Sequence, residues 1–329
     1  MSDDSTPRRR VKAWLQGEPP PRPLLMPILF SLGARMENLP LKNFQSNPTK
    51  IANALRQIRS VMPVDGLVCY FDPMLEVDAL GPQQADGSWA APDSLPEKGF
   101  IPVACEVLRR ARAMLKDEPA LVIPVIGPMG LGRQLCRGGP GGSAPEETIQ
   151  FASEVTASVA RTFAEAGADV IMLAEDFADG LPYGGFEAYA SLLAPVVNIV
   201  RFYEALPVLL LGKVTAKALD SVQANIADCV LCPTWTGEKG TSNPEPDVPP
   251  GWMAYALPIT AFGQDPQHFA PLLSPGEPSA PKVGLLTSTE DVTAGLDLKQ
   301  LTEGLKLLRK YLSGPPSRGQ GLPRPGGRD

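Results

Sequence analysis

Three carboxylates stand where parallel α/β proteins keep their chemistry. Glu175 and Asp176 follow the apolar run 170–173, and Asp72 closes the run Gly66-Leu-Val-Cys-Tyr-Phe71. A fourth, Glu290 or Asp291 of Thr287-Ser-Thr-Glu-Asp291, follows the last apolar run. Carboxylates gathered in one place raise one another's pKa, so one stays protonated and serves as an acid near neutral pH. The same set suits a hard divalent cation or a cationic substrate equally well. The plainer reading is that Glu175 or Asp176 caps the following helix and pairs with Lys213 or Arg35. Arg35 offers a fork for a substrate carboxylate, against a simple ion pair with Glu37. Lys213 reads as a carboxylate anchor, a desolvated nucleophile or a snorkelling surface lysine. Tyr183 and Trp235 either pack on a flat substrate or close the rim.

The elements that must position these groups follow from apolar spacing. Continuous apolar runs, the mark of strands buried on both faces, fall at 24–29, 66–70, 121–126, 170–173, 208–211, 229–231, 253–256 and 283–286. Helical spacing fills the intervals at 48–58, 102–115, 145–166, 186–203, 215–225 and 298–311. Asn47 is placed to cap the first of these, with Pro48 in its first turn. Eight strands alternating with helices predict an α/β chain forming a single (β/α)8 TIM barrel, with its chemistry at the carboxyl ends of the strands. An open doubly wound sheet is the alternative, but no glycine-rich phosphate loop follows the first strand. The expected division is an N-terminal extension and helix over 1–22, the barrel over 23–313, and a disordered Pro/Gly-rich tail over 314–329. Two irregular stretches, 82–98 and 233–250, are expected to hang over the carboxyl face as lids or rims.

With 329 residues, 43% of them hydrophobic, the chain has ample material for one large barrel. A net charge of -6 argues against a nucleic-acid surface, and Arg8-Arg9-Arg10 reads as a solvated cluster. Five cysteines at irregular positions form no disulfide framework and point to a reducing, cytoplasmic compartment. No apolar run reaches membrane-spanning length, and no signal peptide is legible. His268, the single histidine, reads as an ordinary loop residue.

Four segments together resemble the uroporphyrinogen decarboxylase superfamily, which includes the heme-pathway decarboxylase and the corrinoid:coenzyme M methyltransferases. Arg10-Val-Lys-Ala-Trp-Leu-Gln-Gly-Glu-Pro-Pro-Pro-Arg-Pro resembles the family's opening helix. Phe71-Asp72-Pro-Met-Leu-Glu-Val-Asp-Ala-Leu-Gly81 resembles its second-strand motif. Gly127-Pro128 with Arg137-Gly138-Gly139 resembles the loop after its third strand, and Gly167 to Gly180 its fourth strand. The likeness spans roughly residues 10–311.

The resemblance implies roles, and the departures from it narrow them. Arg35 matches the second of two carboxylate-binding arginines, while Ser31 stands at the first. Asp72 matches the aspartate that contacts pyrrole N–H groups. The third-loop tyrosine is Gln134 here, the fourth-strand Phe-Glu-Ser serine is Asp176, its glutamate is Glu175, and the last histidine falls near Glu290. The zinc ligands of the methyltransferases, His-x-Cys after the fifth strand and Cys after the eighth, have no counterpart, and Cys229 and Cys232 point to opposite faces of a strand. The primary expectation is therefore a metal-independent lyase that decarboxylates a carboxylated ring substrate, with no cofactor. Asp72, Glu175 and Asp176 would be catalytic, and Arg35, Gln134, Tyr183, Lys213 and Glu290 would bind substrate. The alternative is a methyltransferase acting with a separate corrinoid protein, with or without a divalent metal. A non-catalytic binding role is the third. A homodimer is the other partnership the resemblance implies.

Overall fold

Every apolar run named above overlaps a strand. The computed structural model describes residues 5–116, 118–136, 144–175, 185–212, 229–234, 252–265, 282–293 and 295–313. Its strands are β1 (Leu24–Leu25), β2 (Gly66–Val68), β3 (Ala120–Ile126), β4 (Val170–Glu175), β5 (Leu206–Leu211), β6 (Val230–Pro233), β7 (Trp252–Leu257) and β8 (Lys282–Ser288). β1 is much shorter than the run 24–29 suggested, and the cause is local. The Met26 N–H still reaches Leu286 O at 2.8 Å, but Pro27 has no N–H and the ladder stops. Ile28 N then turns to a side chain, donating to Ser288 Oγ at 2.8 Å.

The helices are α1 (Pro7–Leu15), α2 (Phe30–Met36), α3 (Leu41–Gln45), α4 (Pro48–Val61), α5 (Leu75–Leu80), α6 (Ile101–Leu115), α7 (Pro128–Leu135), α8 (Glu146–Glu165), α9 (Gly185–Phe202) and α10 (Leu298–Ser313). Short 3-10 turns occupy Pro92–Glu97, inside the expected rim segment, and Ile259–Gly263. α4 begins as its sequence predicts: Asn47 Oδ1 accepts the Lys50 N–H at 3.1 Å, and Pro48 occupies the first turn. The helix expected over 215–225, most of the segment 233–250 and the tail 314–329 lie outside the described residues. No helix among the described residues is long and apolar enough to cross a membrane.

The strands form two parallel sheets, ordered β2-β3-β4-β5-β6 and β1-β8-β7. At one margin, Asp65 N donates to Leu25 O at 2.7 Å, beside β1 and β2. At the other, Thr234 and Ala256 form a parallel bridge between the end of β6 and β7. Side chains alternate between two buried clusters, as the two-residue period of a strand requires. One cluster contains Leu24, Val68, Val122, Met172, Val208, Val230, Ala254 and Leu285, at least one residue from each strand, with Trp14 of α1 among them. A Cβ on Gly284 would lie 2.6 Å from the Trp14 ring, so β8 needs glycine there for α1 to seat. The other cluster, with Ile171, Leu173 and Leu209, is the layer between strands and helices. The N-terminal helix, expected as an extension, thus contributes Val11 and Trp14 to the strand-lined cluster.

α10 packs on the 259–263 turn with no room to spare. A Cβ on Gly304 would meet Phe262 O at 2.1 Å and Gly263 Cα at 2.7 Å, both backbone atoms that cannot step aside. Gly304→Ala is expected to cost about 1–3 kcal/mol of overpacking strain, despite alanine's better helix propensity. Urea unfolding checks this, and an unchanged or raised midpoint would contradict the contact.

Candidate active site

Asp72 lies beyond β2, half-buried and held from two directions. Its Oδ1 accepts the Met74 N–H at 3.0 Å, and its Oδ2 accepts from Gln45 Nε2 at 3.2 Å. The Gln45 carbonyl in turn accepts the Tyr70 hydroxyl at 3.2 Å. Behind this lies an aromatic cluster: Phe30 is 5.1 Å from Tyr70 and 5.2 Å from Phe44, ring centroid to centroid. Such packing limits the rotamers open to the polar groups it carries. Gln134 arrives from α7, its Nε2 3.5 Å from Pro73 O, and its buried Oε1 meets no partner among the described residues. The structure therefore brings Gln134 to Pro73, the residue that follows Asp72 in the chain.

A second group joins the segments after β1 and β8. Asp291 Oδ2 accepts both the Ser31 N–H, at 2.7 Å, and the Ser31 hydroxyl, at 2.6 Å. Its Oδ1 accepts the Val292 N–H at 2.7 Å. Burial raises the Asp291 carboxyl above its ordinary pKa, and the Ser31 bonds oppose that rise. Arg35, one helical turn after Ser31, is exposed and donates to Thr293 O at 3.2 Å and Leu296 O at 3.5 Å. The alternative pairing with Glu37 is not formed; Glu37 pairs with Lys50 at 2.8 Å. Glu290 is exposed, and its Oε1 accepts the Ile259 N–H at 3.4 Å.

Glu175 belongs to a different place. Val170 and Met172 point into the cluster shared by all the strands, so Ile171, Leu173 and Glu175 face the helix layer. There Glu175 is 4% exposed. Its Oε1 accepts from Met129 N at 3.0 Å and from the Tyr189 hydroxyl at 3.1 Å, and its Oε2 from Gly130 N at 2.7 Å. It caps α7, the helix before it, rather than the helix after it. Gly127 makes this possible, because a Cβ there would lie 2.4 Å from Glu175 Cδ. The expected convergence of Asp72, Glu175 and Glu290 or Asp291 is thus corrected. Strand alternation sends Glu175 outward, and Glu290 turns toward the end of β7. Among the described residues no three His, Cys, Asp or Glu side chains gather closely enough to hold a metal ion. Asp176, Tyr183, Lys213, Trp235 and His268 lie outside the described residues.

Sequence reasoning passed over Glu76 and Tyr189. Glu76 is 2% exposed on α5, and its Oε1 accepts the Ile126 N–H at 3.1 Å. Burial pushes its carboxyl up to about 7, and the charge of Asp72 adds to the rise. Burial likewise brings Glu175 to about 7, against the lowering pull of Met129, Gly130, Tyr189 and Arg133. A signal for Glu76 did exist: it shares a helical stripe with the buried Ala79 and Leu80, an unusual place for a charge. Tyr189 offered none, since an aromatic in an apolar helix reads as core.

The sign of the resulting pH dependence is fixed by linkage. A folded pKa of about 7 against an unfolded 4.5 means the folded state holds the extra proton. Stability is therefore lost as pH rises from 4.5 to 7 and levels off above. Glu76→Gln keeps an acceptor for Ile126 and never ionises. At pH 8 it is expected to be more stable than the parent by about 3 kcal/mol at most, by roughly 1.4 kcal/mol per pKa unit, with little difference at pH 5. Equal stabilities at pH 8 would show that Glu76 ionises in the ordinary carboxylate range.

The parallel sheets, the strand-lined interior and the groups beyond the strand ends define a mixed α/β protein of the TIM-barrel-like class. Among solved structures, the chain is similar to a methyltransferase from Methanosarcina mazei, with a TM-score of 0.64 and 16% identity over 94% of this chain and 99% of that one. It also matches a dihydrodipicolinate synthase at a TM-score of 0.45 and 10% identity, over 88% of this chain and 78% of that one. No protein-family model and no curated protein matches the sequence.

Proposed function

We propose that this chain is a uroporphyrinogen decarboxylase-like methyltransferase that works with a separate corrinoid-binding protein. The observation that carries the reading is the likeness to the Methanosarcina mazei methyltransferase over nearly the whole of both chains, added to the sequence motifs. The strands form a closed (β/α)8 barrel in this reading. Closure is supported by the cluster drawing on all eight strands and by the contacts at both sheet margins.

The chain's part in such a reaction is to hold the small molecule that exchanges a methyl group with the corrinoid partner. Asp72 accepts a hydrogen bond or a proton from it at the barrel mouth. The described residues supply no ligand set for a metal ion.

The test is spectroscopic. Purified chain is mixed with methylcobalamin and a panel of thiols and amines, and loss of the methylcobalamin absorbance is followed. Acceleration that needs both the chain and one acceptor is the expected result. No acceleration with any acceptor, together with CO2 release from a carboxylated aromatic ring compound, would return the lyase to first place.

A further inference from the structure

The carboxyl torsion of an aspartate is broad and nearly two-fold, so a single hydrogen bond leaves it free to turn. Asp72 has a donor on each oxygen: the Met74 N–H on Oδ1 at 3.0 Å, and Gln45 Nε2 on Oδ2 at 3.2 Å. The first belongs to its own loop and moves with it. The second comes from α3, 27 residues earlier in the chain. Gln45 is the last residue of α3, and the aromatic cluster sets its place. Phe44, just before it, is 1% exposed and packs on Phe30. Gly33 leaves the space for that contact, since a Cβ there would lie 2.8 Å from Phe44 Cζ. The Gln45 carbonyl accepts the hydroxyl of Tyr70, which precedes Asp72 on the segment leaving β2. The end of α3 is thus tied through its backbone to Tyr70 and through its last side chain to Asp72.

We propose that Gln45 is a positioning residue that aims the Asp72 carboxylate, with Tyr70 fixing the point from which it does so. This role rests on the reading of Asp72 as the group that accepts a hydrogen bond or a proton from the small molecule. A carboxylate offers about four lone-pair sites, and the ones that Met74 and Gln45 leave open are those a substrate meets. Gln45 therefore decides which way the open sites face. A neutral amide suits the task, because a lysine or arginine in its place would form an ion pair and compete with the substrate for the charge. Without the amide the carboxyl hangs from the Met74 N–H alone and is free to swing away from the reacting atom. Misplacing a reacting group by about 1 Å costs on the order of 100-fold in rate, and a partial swing costs less.

Gln45→Met tests this, because it keeps the length of the side chain and removes the donor. Gln45 is only partly buried, at a helix end, so the fold is expected to survive the change. Two measurements are made on the full chain. The first is the crystal structure of Gln45→Met, in which the Asp72 carboxyl should be turned from its parent orientation or split between two. The second is turnover, in the methylcobalamin assay or any assay that supersedes it, of the parent, Gln45→Met, Asp72→Asn and the double variant. Gln45→Met should lower kcat by about 10-fold with KM within about twofold, as for an interaction felt only in the transition state. The double variant should be no slower than Asp72→Asn alone, because a residue acting through Asp72 has nothing further to lose. A merely structural role would multiply the two losses, and that result overturns the positioning role. An Asp72 carboxyl that keeps its parent orientation in Gln45→Met overturns it as well. A parent with no turnover on any acceptor counts against methyl transfer instead, and the crystal structure alone then decides the role of Gln45.

Discussion

Asp65→Asn should lower the stability of the protein by about 3–5 kcal/mol at pH 7, the scale for removing one partner of a buried charge pair. Asp65 is fully buried just before β2. Arg22 meets it with both terminal nitrogens, each at 2.9 Å, and Arg309 of α10 adds a third charged bond. Its Oδ2 also accepts the Leu25 N–H at 2.9 Å, tying it to β1 where β1 and β2 share no strand ladder. Burial alone would raise this carboxyl, but Arg22 and Arg309 together hold it below its ordinary value. A depressed folded pKa gives stability that is present above the unfolded pKa of about 3.8 and lost as pH falls through the folded one. The deficit of the variant is therefore full at pH 7 and shrinks in strong acid. Urea unfolding at pH 7 measures it. A difference under about 1 kcal/mol, the scale of exposed pairs, would mean that solvent screens the cluster.

Asp72→Asn should reduce turnover by about 100-fold or more, the range for removing a positioned acid or base. The substitution is mild for the fold. Its amide oxygen still accepts the Met74 N–H, and Gln45 has only to turn its own amide to present oxygen to the new NH2 group. Circular dichroism and unfolding should therefore match the parent while the methylcobalamin assay, or any assay that supersedes it, falls. Undiminished turnover would remove Asp72 from the chemistry and leave it as a cap on the loop before α5. The conserved shape of the side chain makes this a cleaner probe than Asp72→Ala, which would also orphan the Met74 N–H.

Much of the site was legible in part. Asp72 and Gln134 were named from the chain, and in the structure Gln134 reaches the carbonyl of Pro73, the residue after Asp72. Ser31 and Asp291 were each named but not as partners, because 260 residues separate them and only the neighbouring of β1 and β8 joins them. Glu175 was placed correctly at a strand end, yet its direction was missed. One step along a strand turns a side chain to the other face, and the run Val170–Glu175 is apolar on both faces, so periodicity gave no facing.

The chain by itself determined the eight apolar runs, their alternation with helices and the carboxylates beyond them, because burial on two faces leaves a continuous apolar signature. Tertiary structure alone decided which carboxylates share a site, which helix Glu175 caps, and that Arg22 and Arg309 converge on Asp65. Those choices depend on strand facing and on contacts between residues far apart in the chain. A hydrogen bond across such a distance leaves no period in the sequence to read.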